Sequence, residues 1–448
     1  MLKTMQQLPF LLFILSSIHV HCLHQDNHLL FPLHNNLQWS HPPYHNSPFP
    51  FLPPRSRREK NGIILEMKHK RHWSHEDELI EISKSAAQIP LKSGILLKTL
   101  NYIVSIKLAN RKMTMIIDTG SDLTWTQCKP CFSCYIQQDP VFDPHLSSSY
   151  QNISCDSSTC IALKPVSSGC TSNGANCGYA LSYGDGSYTL GVLGKDKINL
   201  GGITVEEFIF GCGRSNHGLF GGVSGIIGLG RTQLSLVSQT INQFGGVFSY
   251  CLPTRAFNSS GSLILGNDSS LYRNITPISY TRLVSGPVKL PFYFVNLTGM
   301  IIGGERLTEG LFNGRVLIDS GTVITRLAPS VYRAMRDVFV KRFSGYPPAP
   351  PFSILDTCFD LSEYEEVKVP IMKFVFEGDV ELTVDVTGIL YIVKRDASQV
   401  CLAVSSLESE DEVGIIGNFQ QKNLRVVYDS AGSKLGFAKE ICGYDHQN

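Results

Sequence analysis

The chain has 448 residues, of which 43% are hydrophobic and 17% charged, and it carries a net charge of +1 at pH 7. That is enough apolar material for two ordinary domains, each with its own core. The near-neutral balance gives no footing for nucleic acid or an anionic membrane surface as the natural ligand.

Residues 1–22 begin with Lys3 and continue into a short apolar run, Leu8-Pro9-Phe10-Leu11-Leu12-Phe13-Ile14-Leu15, which reads as a secretory signal peptide removed near Cys22. No later stretch is apolar for long enough to span a membrane, and residues 443–448 carry no apolar anchor signal. Residues 23–88 turn to His, Pro and Asn and then to a basic run through Arg55, Arg57, Arg58, Lys60, Lys68, Lys70 and Arg71. Composition alone fits a solvated linker. Within it, however, Gly62-Ile63-Ile64-Leu65-Glu66-Met67 is an apolar strand pattern leading into cations.

A strand pattern over residues 100–108 opens the first folded region, and residues 113–117 form a second apolar run that delivers Asp118 into the turn Thr119-Gly120-Ser121. Trp125 follows. A cysteine-dense stretch comes next, with Cys128, Cys131 and Cys134, then Cys155, Cys160, Cys170 and Cys177. A Cys-x2-Cys-x2-Cys run can hold zinc or an iron–sulfur cluster. Two facts favour disulfides instead: a signal peptide leads to an oxidising compartment, and losing Cys22 from the 13 cysteines leaves an even number. Residues 179–188 alternate around Tyr183-Gly184-Asp185-Gly186, a β-hairpin signal.

Beyond Gly225-Ile226-Ile227-Gly228, the apolar spacing over residues 234–244 predicts a short helix. N-glycosylation triplets begin at Asn152, Asn258, Asn267, Asn274 and Asn296, and their clustering places an exposed domain boundary near residues 280–291. Val316-Leu317-Ile318 then delivers a second Asp-Ser-Gly-Thr phrase at Asp319, Ser320, Gly321 and Thr322. An amphipathic helix over residues 327–343, started by Pro329-Ser330, precedes a Pro-rich turn at 346–351, and Gly414-Ile415-Ile416-Gly417 closes the pattern. One Asp-Thr/Ser-Gly tripeptide occurs by chance in roughly one chain in ten of this length. Two copies, each after an apolar strand and each followed roughly a hundred residues later by Gly-Ile-Ile-Gly, form an internal repeat.

These residues in combination resemble the pepsin-like aspartic proteases, and the cysteine-rich insertion resembles the nepenthesin-like plant subgroup; the likeness covers residues 100–442. It implies a mainly β, bilobal fold, with two similar β-barrel-like lobes, a cleft between them and few short helices. Residues 23–88 become a prosegment, 89–282 the N-terminal lobe with insertion and flap, and 283–448 the C-terminal lobe, the mature chain starting near Ile89-Pro90. A cationic prosegment across two carboxylates holds them ionised and lets go when acid protonates its anchors.

The resemblance implies an aspartic-type endopeptidase, secreted or vacuolar, that cuts peptide bonds at acid pH by general acid/base activation of water between Asp118 and Asp319. Apolar or aromatic side chains are expected to flank the bond. Thr119 and Ser320 match the residues that lock the two turns, Gly120 and Gly321 complete those turns, and Ser121 and Thr322 match hydroxyls bonded to the outer carboxylate oxygens. Tyr183, Gly184, Asp185 and Gly186 match a flap over the bound peptide, and Trp125 the indole that bonds the flap tyrosine. One departure is Leu108-Ala109-Asn110-Arg111, where the family has a Gly-Thr-Pro-like turn. By the same likeness the disulfides are Cys128–Cys131, Cys134–Cys212, Cys155–Cys177, Cys160–Cys170, Cys251–Cys442 and Cys358–Cys401. No cofactor or metal is implied, and the expected partner is a peptide or unfolded protein cut by a monomer, with no nucleic acid and no membrane anchor. The alternative is a catalytically silent binding protein of the same fold, like the cereal xylanase inhibitors; retention of both Asp phrases and Tyr183 favours the enzyme. A metal- or redox-active cysteine protein is a third reading, and it requires free thiols.

Overall fold

The computed structural model describes residues 86–442 except 164–167, 172–173, 255–259, 273–274, 285–291, 308–309 and 313, together with the backbone of two earlier strands, His24–Gln25 and His28–Pro32. The expected signal peptide, the basic part of the expected prosegment and the triplets at Asn258 and Asn274 lie outside those residues. His28–Pro32 pairs antiparallel with Glu366–Pro370.

The protein is mainly β and bilobal. Strand Tyr102–Leu108 alternates buried and more exposed residues, so one face packs on the core. Arg111–Asp118 is buried from Met113 onward because it has a neighbour on each side, Tyr102–Leu108 antiparallel and Gly225–Gly228 parallel. The turn joining the first two strands takes Ala109 (φ 47°) and Asn110 (φ 62°) into the left-handed region, the mirror-image geometry that suits a two-residue hairpin.

The duplication in sequence is a duplication of register. Met115, Ile116 and Ile117 stand opposite Gly225, Ile226 and Ile227, while Val316, Leu317 and Ile318 stand opposite Gly414, Ile415 and Ile416, both parallel. In each lobe a third short strand runs antiparallel to the Gly-Ile-Ile segment. Trp125–Gln127 sets Trp125 opposite Ile226, and Thr325–Leu327 sets Arg326 opposite Ile415. Trp125 and Arg326 are therefore equivalent positions.

The large first sheet continues from Ala87–Ser93 through Ser260–Leu265 and Val247–Cys251 to Leu424–Asp429, Lys434–Lys439 and Ser279–Arg282. Strands from distant parts of the chain thus share one sheet. Ala87–Ser93 is paired on both edges, with Ser260–Leu265 and with Tyr102–Leu108, so the expected start near Ile89-Pro90 falls inside a strand.

The predicted helix over 234–244 is two single turns, Leu236–Gln239 and Ile241–Phe244, interrupted at Thr240, whose hydroxyl donates to the Leu236 carbonyl at 2.8 Å. The second-lobe helix runs Pro329–Arg342 and buries Val331, Tyr332, Met335 and Phe339; Leu327, expected within it, belongs to the preceding strand.

Twelve cysteines form six disulfides, and four pairings differ from those expected. Cys128 bonds Cys212 and Cys131 bonds Cys134, rather than Cys128–Cys131 and Cys134–Cys212. The cause is register: Thr126 stands opposite Cys212 in a parallel pair, and the Cys128 amide donates to the Gly213 carbonyl, which leaves the Cα atoms of Cys128 and Cys212 5.2 Å apart. Cys155–Cys170 and Cys160–Cys177 replace the expected Cys155–Cys177 and Cys160–Cys170. Cys170 and Cys177 face each other across an antiparallel pair, and the Ser158–Leu163 helix buries Cys160 on the side of Cys177. Cys251–Cys442 and Cys358–Cys401 are paired as written above.

Candidate active site

Each apolar strand carries its aspartate into a turn that orients the carboxyl from within. The Gly120 amide donates to Asp118 Oδ1 at 2.8 Å and the Ser121 hydroxyl to Asp118 Oδ2. In the other lobe the Gly321 amide donates to Asp319 Oδ1 at 2.8 Å and the Thr322 hydroxyl to Asp319 Oδ2 at 2.6 Å. Both aspartates are buried and within hydrogen-bonding reach of each other. The glycines permit this approach. A Cβ on Gly120 would stand 2.8 Å from both carboxyl oxygens of Asp319, and one on Gly321 would stand 2.1 Å from Asp118 Oδ1.

The backbones of the two turns are tied across the lobes. The Thr119 amide donates to the Ser320 hydroxyl oxygen at 3.1 Å, and the Ser320 amide to the Thr119 hydroxyl oxygen at 3.0 Å. Each hydroxyl then donates to a carbonyl of the opposite strand, Thr119 to Ile318 at 3.2 Å and Ser320 to Ile117 at 3.0 Å. Both residues are fully buried.

Burial, and then the charge of Asp319, push Asp118 from its ordinary 3.8 up to about 8, against the lowering effect of the Ser121 and Gly120 hydrogen bonds. Two carboxyls this close titrate as a unit that keeps one proton well above the usual carboxylate range.

The hairpin formed by Cys177–Ser182 and Tyr188–Leu200 turns through Tyr183 to Ser187, closed by the Tyr183 amide on the Ser187 carbonyl at 2.8 Å, with Gly186 at φ 82°. Tyr183, Gly184 and Asp185 line the cleft; Gly186 serves the turn. Trp125 is wholly buried beneath the hairpin, and its indole N–H donates to the Tyr183 hydroxyl at 2.7 Å. The Tyr183 hydroxyl lies close to Ser121, whose own hydroxyl donates to the Asp118 carboxyl.

Sequence reasoning missed two further groups. Phe220 packs edge-on against Trp125 and Tyr183, with ring centroids 5.1 and 5.9 Å away. Its flanking Gly218 and Gly221, both at positive φ, were the available sign of a constrained loop. The second group lies behind Asp319. Gln421, fully buried, donates from Nε2 to the Asp319 carbonyl at 3.2 Å and the Ile416 carbonyl at 2.9 Å, and its Oε1 accepts from the Tyr250 hydroxyl, which lies 2.8 Å from that of Tyr428.

The cleft around the aspartates has a volume of about 1880 Å³ and mostly apolar walls, including Leu96, Leu219, Phe292, Ile324, Phe352 and Tyr391. Of the described glycosylation triplets, Asn152 and Asn267 are exposed, whereas Asn296 is half-buried and donates to Glu377 Oε2 at 2.7 Å. No helix among the described residues is long and apolar enough to cross a membrane.

Two family models match: the one described as xylanase inhibitor N-terminal over residues 102–267, and the one described as xylanase inhibitor C-terminal over residues 292–439. An Arabidopsis thaliana aspartyl protease family protein is 42% identical over 85% of this chain and 80% of its own length. Aspartic proteinase nepenthesin-1 of Nepenthes gracilis is 34% identical over 76% of this chain and 78% of its own. Among solved structures, that titled crystal structure of edgp superposes with a TM-score of 0.65 at 22% identity, over 81% of this chain and 96% of that one, a likeness of fold. With two Asp-Thr/Ser-Gly turns interlocked at the head of a cleft and these relatives beside it, the chain belongs to the pepsin-like aspartic protease family of plants, which includes the nepenthesins.

Proposed function

We propose that this chain is a secreted endopeptidase that hydrolyses peptide bonds in acid by activating a water between Asp118 and Asp319. The carrying observation is the paired buried carboxyls, one of which keeps its proton far above the usual range. As a substrate carbonyl enters, the pair acts with its one shared proton: the ionised carboxylate takes a proton from water while the water oxygen bonds the carbonyl carbon, and the protonated partner gives its proton to the carbonyl oxygen. Collapse of the resulting diol breaks the C–N bond, the leaving nitrogen takes up a proton, and no covalent enzyme intermediate forms. Ser121 and Thr322 hold the outer carboxyl oxygens alike in the two lobes, which leaves the inner oxygens to share the proton and hold the water. The Tyr183 hairpin closes over the peptide and excludes bulk water.

The N-terminal signal pattern supports secretion, and the basic stretch within residues 23–85 supports an inhibitory prosegment. We place its removal before Ala87, because a cut at Ile89 would remove Ala87 and Gln88, which pair with Leu265 and Ile264 of the neighbouring strand. Among the described triplets, Asn152 and Asn267 are the exposed candidates for glycans.

The test is cleavage of denatured globin from about pH 2 to 7 by purified mature protein, its Asp118→Ala and Asp319→Ala variants, and wild type with pepstatin. Acid-dependent cleavage that each substitution and the inhibitor abolish is the expected result. A folded, fully processed wild type that cuts nothing at any pH would leave the silent protein-binding reading standing in its place.

A further inference from the structure

Arg326 and Trp125 occupy the same register position in the two lobes, each opposite the central isoleucine of a Gly-Ile-Ile segment. Their surroundings differ. The hairpin carrying Tyr183 covers Trp125, which is fully buried, whereas Arg326 is exposed between buried Thr325 and Leu327 and lines the cleft with Ile324 and Ile415. The arginines that pair with carboxylates are Arg282, Arg306, Arg333, Arg336, Arg342 and Arg425; Arg326 has no such partner among the described residues. A guanidinium stays charged at every pH at which the dyad works, and its planar fork matches a carboxylate.

Resting on the protease reading above, we propose that Arg326 makes one subsite, on the Asp319 side of the cleft, a carboxylate-recognising one. The enzyme then prefers polypeptides that place Asp or Glu against Ile324 and Ile415, and the apolar neighbours strengthen the contact by thinning the water around it. The other charged groups facing this space are Lys98 on the first-lobe wall, Asp122, whose Oδ1 is occupied by the Thr232 amide, Asp185 on the hairpin, and the two catalytic acids. None of them duplicates a cation on the second-lobe wall.

The test scans a peptide cut by the wild type with Glu, and separately with Gln, at each position on both sides of the scissile bond, at about pH 5, where free glutamate is ionised. At one position Glu is expected to raise kcat/KM about tenfold over Gln, a gain that disappears in Arg326→Gln, survives in part in Arg326→Lys, and fades in the wild type below about pH 4. Efficient cleavage with no Glu preference at any position overturns the proposal and leaves the protease reading intact. So does a Glu preference that Lys98→Gln removes as fully as Arg326→Gln, since that is a field of the whole cleft. If no peptide is cut, titration with a pair of statine-containing peptides bearing Glu or Gln reads the same subsite without turnover. Equal affinities there overturn the proposal, and an Arg326-dependent difference supports it although the hydrolytic reading has failed.

Discussion

Thr119 and Ser320, on opposite lobes, each donate a backbone amide to the other's hydroxyl oxygen, at 3.1 and 3.0 Å, so neither aspartate turn has its geometry without the other. Ser320→Ala removes the acceptor of the Thr119 amide and the donor to the Ile117 carbonyl, both in a site closed to water. Leaving those groups unpaired costs about 1–3 kcal/mol each. Urea denaturation should show that loss, with kcat falling more than KM rises; Ser320→Thr, which keeps the hydroxyl, should restore part of both.

The acid pair ties stability to pH with a definite sign. Asp118 keeps its proton to about 8 in the folded protein against 3.8 in the unfolded chain, so between those values the native state holds the extra proton. Its stability therefore falls as pH rises through that window, by at most about 1.4 kcal/mol per pH unit from this group. Asp118→Asn should be inactive and should show a smaller decline of thermal midpoint between about pH 4 and 8 than the wild type. A steeper decline in the variant would contradict this account.

A methyl group at either turn glycine tests the approach of the acids. In Gly321→Ala the new Cβ meets Asp118 Oδ1, which a fixed strand end cannot move aside. Activity should drop at least about a hundredfold, because misplacement of reacting groups by an ångström is felt on that scale. The measurement is kcat on a peptide substrate, with circular dichroism to show that the lobes remain folded.

The group behind Asp319 should matter through Gln421. Replacing its amide with a carboxyl in Gln421→Glu turns two donated bonds, to the Asp319 and Ile416 carbonyls, into repulsions when the acid is ionised. The buried acid is expected to fold protonated, so the variant should be stable in acid and lose stability as pH rises, whereas Tyr250→Phe, which leaves Gln421 Oε1 without its donor, should cost about 1–3 kcal/mol alike at both pH values. Unfolding curves at two pH values distinguish them.

The flap link gives a kinetic expectation. Tyr183→Phe leaves the buried Trp125 indole N–H without its acceptor. Stability should fall by about 1–3 kcal/mol and kcat/KM by about tenfold or more.

Much of the site was legible because it is written in contiguous residues. Asp118 through Ser121 and Asp319 through Thr322 carry both the acids and the groups that orient them, and the Tyr183 hairpin announces itself by alternation around Asp185-Gly186. What escaped depends on which distant segments meet. Cys128 has Cys131 close by in sequence but Cys212 close by in space, because a parallel strand pair brings the latter alongside. Phe220 and Gln421 look like ordinary loop residues until the fold sets them against Trp125 and Asp319. The break at Thr240 came from a hydroxyl competing for a helix carbonyl, which apolar spacing does not register. Non-reducing peptide mapping should recover Cys128 with Cys212 and Cys160 with Cys177.

The strand Val247–Cys251 has one edge that only Leu424–Asp429 completes. During synthesis the N-terminal half of the molecule therefore carries an open sheet edge until residues 424–429 have left the ribosome. Such a nascent chain needs shielding from sticky encounters, and its two acids cannot meet before Asp319 has emerged. Closure of the sheet and pairing of the acids are thus late events, and a message broken before Leu424 is expected to yield an insoluble fragment rather than a folded N-terminal half.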